Sequence, residues 1–135
     1  VARKKQPAAE GTTFPGEEIN SRRKALLAAK EADGLKARDI VILDVRSFPA
    51  LAEYFVICTG ETKRHLRGIA KKLQETADEH NFAVHHSEGY DMARWILLDL
   101  NNVVVHLFDP ETREFYELER LWGDAPLVPF DPAAA

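Results

Sequence analysis

A chain of 135 residues with 45% apolar and 30% charged side chains has room for one domain with a real core and the balance of a soluble globular protein. Its net charge of −4 argues against generic nucleic-acid binding, and its single cysteine, Cys58, excludes an intramolecular disulfide and a cysteine-based zinc site. No stretch reaches the roughly 18–20 continuous apolar residues of a membrane span, and Val1 to Gly16 holds no apolar signal region.

Val1 to Gly16 reads as a flexible N-terminal arm, basic at Arg3-Lys4-Lys5, which is either solvated or in minor contact with RNA. The folded domain is expected over 17–123, and 124–135 reads as a C-terminal tail whose Leu127, Val128 and Phe130 could dock in a groove. Glu17 to Asp33 predicts a helix with Ile19, Leu26, Leu27 and Ala29 available for burial and Gly34 at the left-handed position after its end. Asp39 to Val45 is an apolar strand, broken by Ser47-Phe48-Pro49-Ala50. Glu53 to Thr59 is a second, ended by Gly60. Cys58, inside that apolar run, reads as a small buried hydrophobe.

Thr62 to about His80 has the strongest helical signal. Leu66, Ile69, Ala70, Leu73 and Ala77 form one stripe, with Thr62 as the N-cap. The turn Thr59 to His65 lacks a phosphate-loop pattern and carries Glu61, which repels anions. Lys63, Arg64, Arg67, Lys71 and Lys72 make the helix locally basic, as a solvated face or as a docking surface for RNA phosphate. Phe82 to His85 predicts a short strand and Ser87 to Met92 a loop. His85 and His86 point to opposite faces of an extended chain and are poorly placed to chelate a metal.

Trp95 to Leu100 and Val103 to Phe108 then form a hairpin about Asn101-Asn102, since Asn tolerates positive φ. A two-residue turn fixes the register. Ile96, Leu98, Leu100, Val103, Val105 and Leu107 share one wholly apolar face, which belongs in a core. Trp95, Leu97, Asp99, Val104, His106 and Phe108 share the other. That second face lies under more protein or waits for a partner. Asp109 to Thr112 reads as a turn and Leu118 to Trp122 as a short closing helix. Tyr90, Phe115, Tyr116 and Trp122 are core residues first. Trp95, flanked by Arg94 and sharing a face with Asp99 and His106, has the composition of an interface anchor.

Helix, strand, strand, helix, strand, hairpin is the order of a single α/β domain, a mixed sheet of about five strands with helices packed on it. Catalytic signals are missing. There is no Gly-x-Ser-x-Gly, no metal cage, and no Asp-x-Asp, since Asp44 precedes Val45-Arg46 and Asp99 stands alone. The expectation is a non-enzyme with no catalytic residues, metal or cofactor.

Several motifs in order resemble a known family. They are Lys36-Ala37-Arg38-Asp39-Ile40 with Leu43-Asp44-Val45, Tyr54 to Gly60, Arg64 to Ala70, Glu88-Gly89, Trp95 to Leu100, Val103 to Phe108, Phe115 to Glu119, and Leu121-Trp122. Over Ala25 to Ala125 the chain is similar to the ribosomal silencing factor, or Iojap, family. The resemblance implies a nucleotidyltransferase-like fold without the catalytic acids. It also implies binding to the large ribosomal subunit through ribosomal protein uL14, which sterically blocks subunit association and represses translation. Trp95 and Leu100 match the family's contact positions, and Glu88, Asp91 and Asp99 suit a basic ribosomal surface. With Leu97 and His106 they make the expected partner-binding set. Alternatives are a large-subunit assembly factor using the same contact, or a residual nucleotidyltransferase built on Asp44 and Asp99. The expected form is a monomer or weak homodimer in the cytoplasm, or in an organelle matrix, with no membrane partner. Two departures stand out: Asn101-Asn102 replaces the usual Gly-Asp, and Glu53 the usual Asp.

Overall fold

The computed structural model describes residues 20–48 and 52–131. Along the chain lie α1 (Ser21–Gly34), β1 (Arg38–Asp44), β2 (Tyr54–Thr59), α2 (Lys63–Glu79), β3 (His86–Glu88), β4 (Trp95–Asp99), β5 (Val103–Phe108), α3 (Pro110–Tyr116) and α4 (Leu118–Leu121). The strands form one mixed sheet in the order β1-β2-β5-β4-β3. The β2–β5 pair is parallel and the other three pairs are antiparallel. This is the α/β architecture expected from the order of elements. The expected arm lies outside the described residues.

One sheet face is closed by α1 and α2. The α2 stripe of Leu66, Ile69, Ala70, Leu73 and Ala77 is buried as its spacing requires. Thr62 caps the helix, its Oγ accepting the His65 N–H at 3.0 Å. In α1 the buried stripe is instead Ala25, Ala28, Ala29 and Ala32, together with Lys24. Leu26 and Leu27 are only partly buried. Methyl side chains at i, i+3, i+4 and i+7 let α1 lie close to its neighbours, and the leucines fall on its flanks. Ile19 and the expected first turn lie outside the described residues. Asn20 caps the helix through Oδ1 to the Arg23 N–H.

Both helices end in the same way, and neither end uses Gly34 as expected. After α1, Lys36 N–H donates to the Asp33 carbonyl and Ala37 N–H to that of Ala32, with Lys36 at φ 70°. After α2, Asn81 at φ 63° precedes Phe82, whose N–H reaches Ala77. These are Schellman closures. Gly34 stands two residues too early for the left-handed position and remains helical. Phe82 is drawn into the closure and packs in the core, so the strand expected at Phe82–His85 forms later, at His86–Glu88. Its residues Ser87 and Glu88 had read as loop.

The expected turn at Asp109 is a helix start. Asp109 Oδ1 accepts the Thr112 N–H at 2.7 Å with Pro110 in the first turn. The segment read as tail docks along β1. Asp44 N–H donates to the Pro126 carbonyl and Val128 N–H to that of Ile42, and Val128 enters the helix-side core.

Candidate functional site

The hairpin forms in the expected register: Trp95 faces Phe108, Ile96 Leu107, Leu97 His106, Leu98 Val105 and Asp99 Val104. Of the two turn residues, Asn101 alone takes positive φ, at 84°. Ile96, Leu98, Leu100, Val103, Val105 and Leu107 all lie in the core under the helices. Leu100 is 1% exposed. Pleat geometry had assigned Leu100 to this core and the resemblance had placed it at the contact surface. Its side chain occupies the first position and does not reach over the sheet edge. Its carbonyl is held from α1, where buried Lys24 donates from Nζ to Leu100 O at 3.0 Å and to Asn102 Oδ1 at 3.1 Å. The turn is therefore anchored from beneath.

The opposite face is covered unevenly. Over β1 and β2 lies the segment after β5: Trp122 packs edge-on to Phe55 at 5.4 Å and to Phe48 at 5.7 Å. Toward β4 and β3 this cover thins. Trp95, Leu97, Asp99 and Val104 are only half-buried. Register places His86 and Glu88 on this face too, opposite Asp99 and Leu97. They pair with each other at 2.6 Å. Asp99 turns back to accept the Asn101 N–H at 2.8 Å and so stiffens the turn.

Trp95 and His106 form one unit. The indole N–H donates to His106 Nδ1 at 3.1 Å. His106 is 5% exposed, and burial pushes its pKa down to about 4, so the ring is neutral at physiological pH. With Nδ1 accepting, the proton sits on Nε2, which has no partner among the described residues. Phe55 meets the imidazole edge-on at 5.0 Å. Trp95 also rests on Phe108 at 4.9 Å and against Tyr116 at 5.0 Å. The indole is thus fixed in orientation with its polar atom satisfied, and what it offers outward is ring surface.

The approach to Trp95 is also fixed. Gly89 stands at φ +85°, and a Cβ there would lie 2.1 Å from the Trp95 carbonyl oxygen, so only glycine fits. Arg67 donates to the Tyr90 and Asp91 carbonyls and Lys63 to that of Met92. Two of the five cations on the basic helix therefore hold this loop.

The nucleotidyltransferase alternative built on Asp44 and Asp99 finds no geometry. Asp44 and Asp99 lie on strands separated by two others, about 14 Å apart at ordinary strand spacing. Through their partners Tyr54 and Val104 they also belong to opposite sheet faces. Asp44 is bound by Arg46 at 2.8 Å, which lowers its pKa. These two acids cannot share a metal ion. Among the described residues no group of His, Cys, Asp or Glu could hold one. Cys58 is buried as expected, its thiol pushed up to about 12 by desolvation.

Three aromatic residues expected in the core are outside it, and the first, Tyr90, is 36% exposed in the loop before Trp95. Phe115 is 78% exposed and Tyr116 52%. The signal lay in Asp109-Pro110-Glu111: a helix starting there has no apolar partner one turn before either ring.

Residues 18–135 match the family described as "Ribosomal silencing factor during starvation". The chain is similar to the Ribosomal silencing factor RsfS of Bacillus subtilis, 44% identical over 105 residues, covering 78% of this chain and 89% of that one. It is also similar to the mouse protein named Mitochondrial assembly of ribosomal large subunit protein 1, at 38% identity over 64% of this chain and 39% of that one. Among solved structures it superposes on the Chromobacterium violaceum protein CV0518 with a TM-score of 0.76 and 28% identity, covering 86% of this chain and 98% of that one.

Proposed function

We propose, from the premise that this chain belongs to the ribosomal silencing factor family, that it binds the large ribosomal subunit through ribosomal protein uL14 and keeps the small subunit from joining. The observation that carries this reading is Trp95, an oriented and half-buried indole on a sheet face that the described residues leave partly uncovered. Leu97, Asp99, His106 and Glu88 surround it on the same face. Leu100 serves from below, by setting the turn.

Subunit joining is a competition for surface. A bound domain needs affinity and position but no chemistry, because its bulk excludes the second subunit. An interface of about 1,600 Å² is within reach of one such domain. The carboxylates of Glu88, Asp91 and Asp99 fit a basic ribosomal protein, acting mainly on encounter rate and register. The site of action is wherever the ribosomes are, the cytoplasm in a bacterial setting.

Sedimentation with purified subunits tests this. The protein is expected to travel with the large subunit and to reduce joined ribosomes. Trp95→Ala is expected to weaken the association by roughly 30-fold, the effect of losing a central anchor. Undiminished co-sedimentation of a folded Trp95→Ala variant would remove the assigned face. The name of the mouse relative favours a second reading, assembly of the large subunit through the same contact. Depletion separates the two: precursor particles accumulate in an assembly role, whereas joined ribosomes persist under starvation in a silencing role.

A further inference from the structure

Three rings in contact lead off the hairpin face. Trp95 meets Tyr116 at 5.0 Å, and Tyr116 meets Phe115 edge-on at 4.9 Å. The ladder climbs from the sheet onto α3 and becomes more exposed at each step, ending at Phe115. No residue of α3 is buried, although its last turn carries two aromatic rings. Aromatic rings that are continuous with a proposed binding face and left uncovered by the described residues have the composition of an interface core.

The helix pair that carries the ladder is held rigidly. Arg113 donates to Thr59 Oγ at 2.9 Å, to the Asp39 carbonyl at 2.7 Å and to Glu119 at 2.9 Å. This strut ties α3 and α4 to the ends of β1 and β2, so a partner meets a surface whose ordering cost is already met.

The charge of the segment selects the partner. Asp109 to Asp124 contains six carboxylates and two arginines. Both arginines are engaged internally, Arg113 with Glu119 and Arg120 with Glu117. The segment's excess of four negative charges equals the −4 of the whole chain, so the acidity of the molecule is concentrated here. Nucleic acid is repelled by such a surface, and a second copy would set like charges against each other.

We infer that α3 and α4 form a second half of the docking surface, on which Phe115 and Tyr116 pack against an apolar patch of a basic ribosomal protein while Glu111 and Glu114 meet its cations. This extension rests on the proposed large-subunit binding and widens it from the hairpin to the helical segment after β5.

The test measures binding of the full chain to purified large subunits at low and moderate salt, with circular dichroism to check folding. Phe115→Ser removes an exposed ring and leaves the core intact. It is expected to weaken binding about tenfold. Glu114→Lys is expected to weaken it about threefold at low salt, with the difference shrinking as salt rises. Trp95→Ala is the reference for the hairpin face. Wild-type binding by Phe115→Ser beside a failing Trp95→Ala would overturn the extension and leave the hairpin reading standing. Tighter binding by Glu114→Lys would also overturn it, pointing to RNA phosphate as the occupant. If the unmodified chain does not bind the subunit at all, both readings fall.

Discussion

Leu97 and Leu98 are neighbours in one strand with the same side chain in different surroundings. Leu98 points into the helix-side core and is fully buried, whereas Leu97 points to the other face and is half-buried. The difference extends along the whole hairpin. On the helix side two long amphipathic elements close over every residue. On the other side a short segment of α3, α4 and the chain after them covers β1 and β2 and meets β4 at its first residue, where Tyr116 touches Trp95. A sheet needs one fully closed face to be stable. The second face is then free to be only partly closed, which is where recognition can be built without weakening the fold.

The largest effect that tests this contrast is on stability. Leu98→Ala is expected to cost about 2–5 kcal/mol in denaturant unfolding, as for other buried leucines. Leu97→Ala should cost under about 1 kcal/mol and act mainly on large-subunit binding. Equal stability losses at the two positions would break the distinction between the faces.

The second effect is pH-dependent and centres on His106. Its folded pKa is depressed to about 4 from an ordinary 6.5. The stabilisation is therefore complete above pH 6.5 and is lost as pH falls toward 4, because the unfolded chain takes up the proton first. The loss amounts to up to about 3 kcal/mol. Protonation also removes the lone pair that accepts the Trp95 indole N–H. Urea unfolding of wild type and His106→Gln between pH 7 and 4.5 checks this, together with Trp fluorescence. The variant should show a flatter pH profile.

Gly89→Ala comes next. The added methyl meets a backbone oxygen at a positive-φ position, and a destabilisation of about 1–3 kcal/mol is expected. Because Gly89 sets the entry to Trp95, binding should weaken with it. The smallest effect is a gain. Lys36 holds a left-handed position that suits glycine, so Lys36→Gly should raise stability by about 0.5–1 kcal/mol in thermal melts and leave binding unchanged.

The parts of the molecule legible in its sequence are those fixed by short-range geometry. A two-residue turn set the pairing of Trp95 to Phe108, and the 3.6-residue period set which side of α2 is buried. Thr62 capped the helix it precedes. The position of β3 was not legible, because Phe82 is claimed by the closure of α2 and by the core at once. Gly34 misled for a related reason, since the Schellman closure formed where Ala37 could reach Ala32. The exposure of Phe115 and Tyr116 was legible in the helix start at Asp109-Pro110, but their place beside Trp95 was not, because it depends on Arg113 reaching Thr59 and Asp39, residues far away in the chain. For Trp95 the neighbours in sequence indicated an interface, and the structure adds that His106 takes up its only polar atom.

The parallel pairing of β2 with β5 has a consequence for the order of synthesis. Thr59 ends β2 and Val103 begins β5 more than forty residues later. At about 5–20 residues per second, β2 waits roughly 2–9 seconds on the ribosome for its neighbour. All six of its residues end up buried, so through that interval β2, already paired with β1 and with α1 and α2 made, still has one edge without its partner strand. The nascent chain is most vulnerable to misassociation in this interval, which closes when the β4–β5 hairpin has emerged.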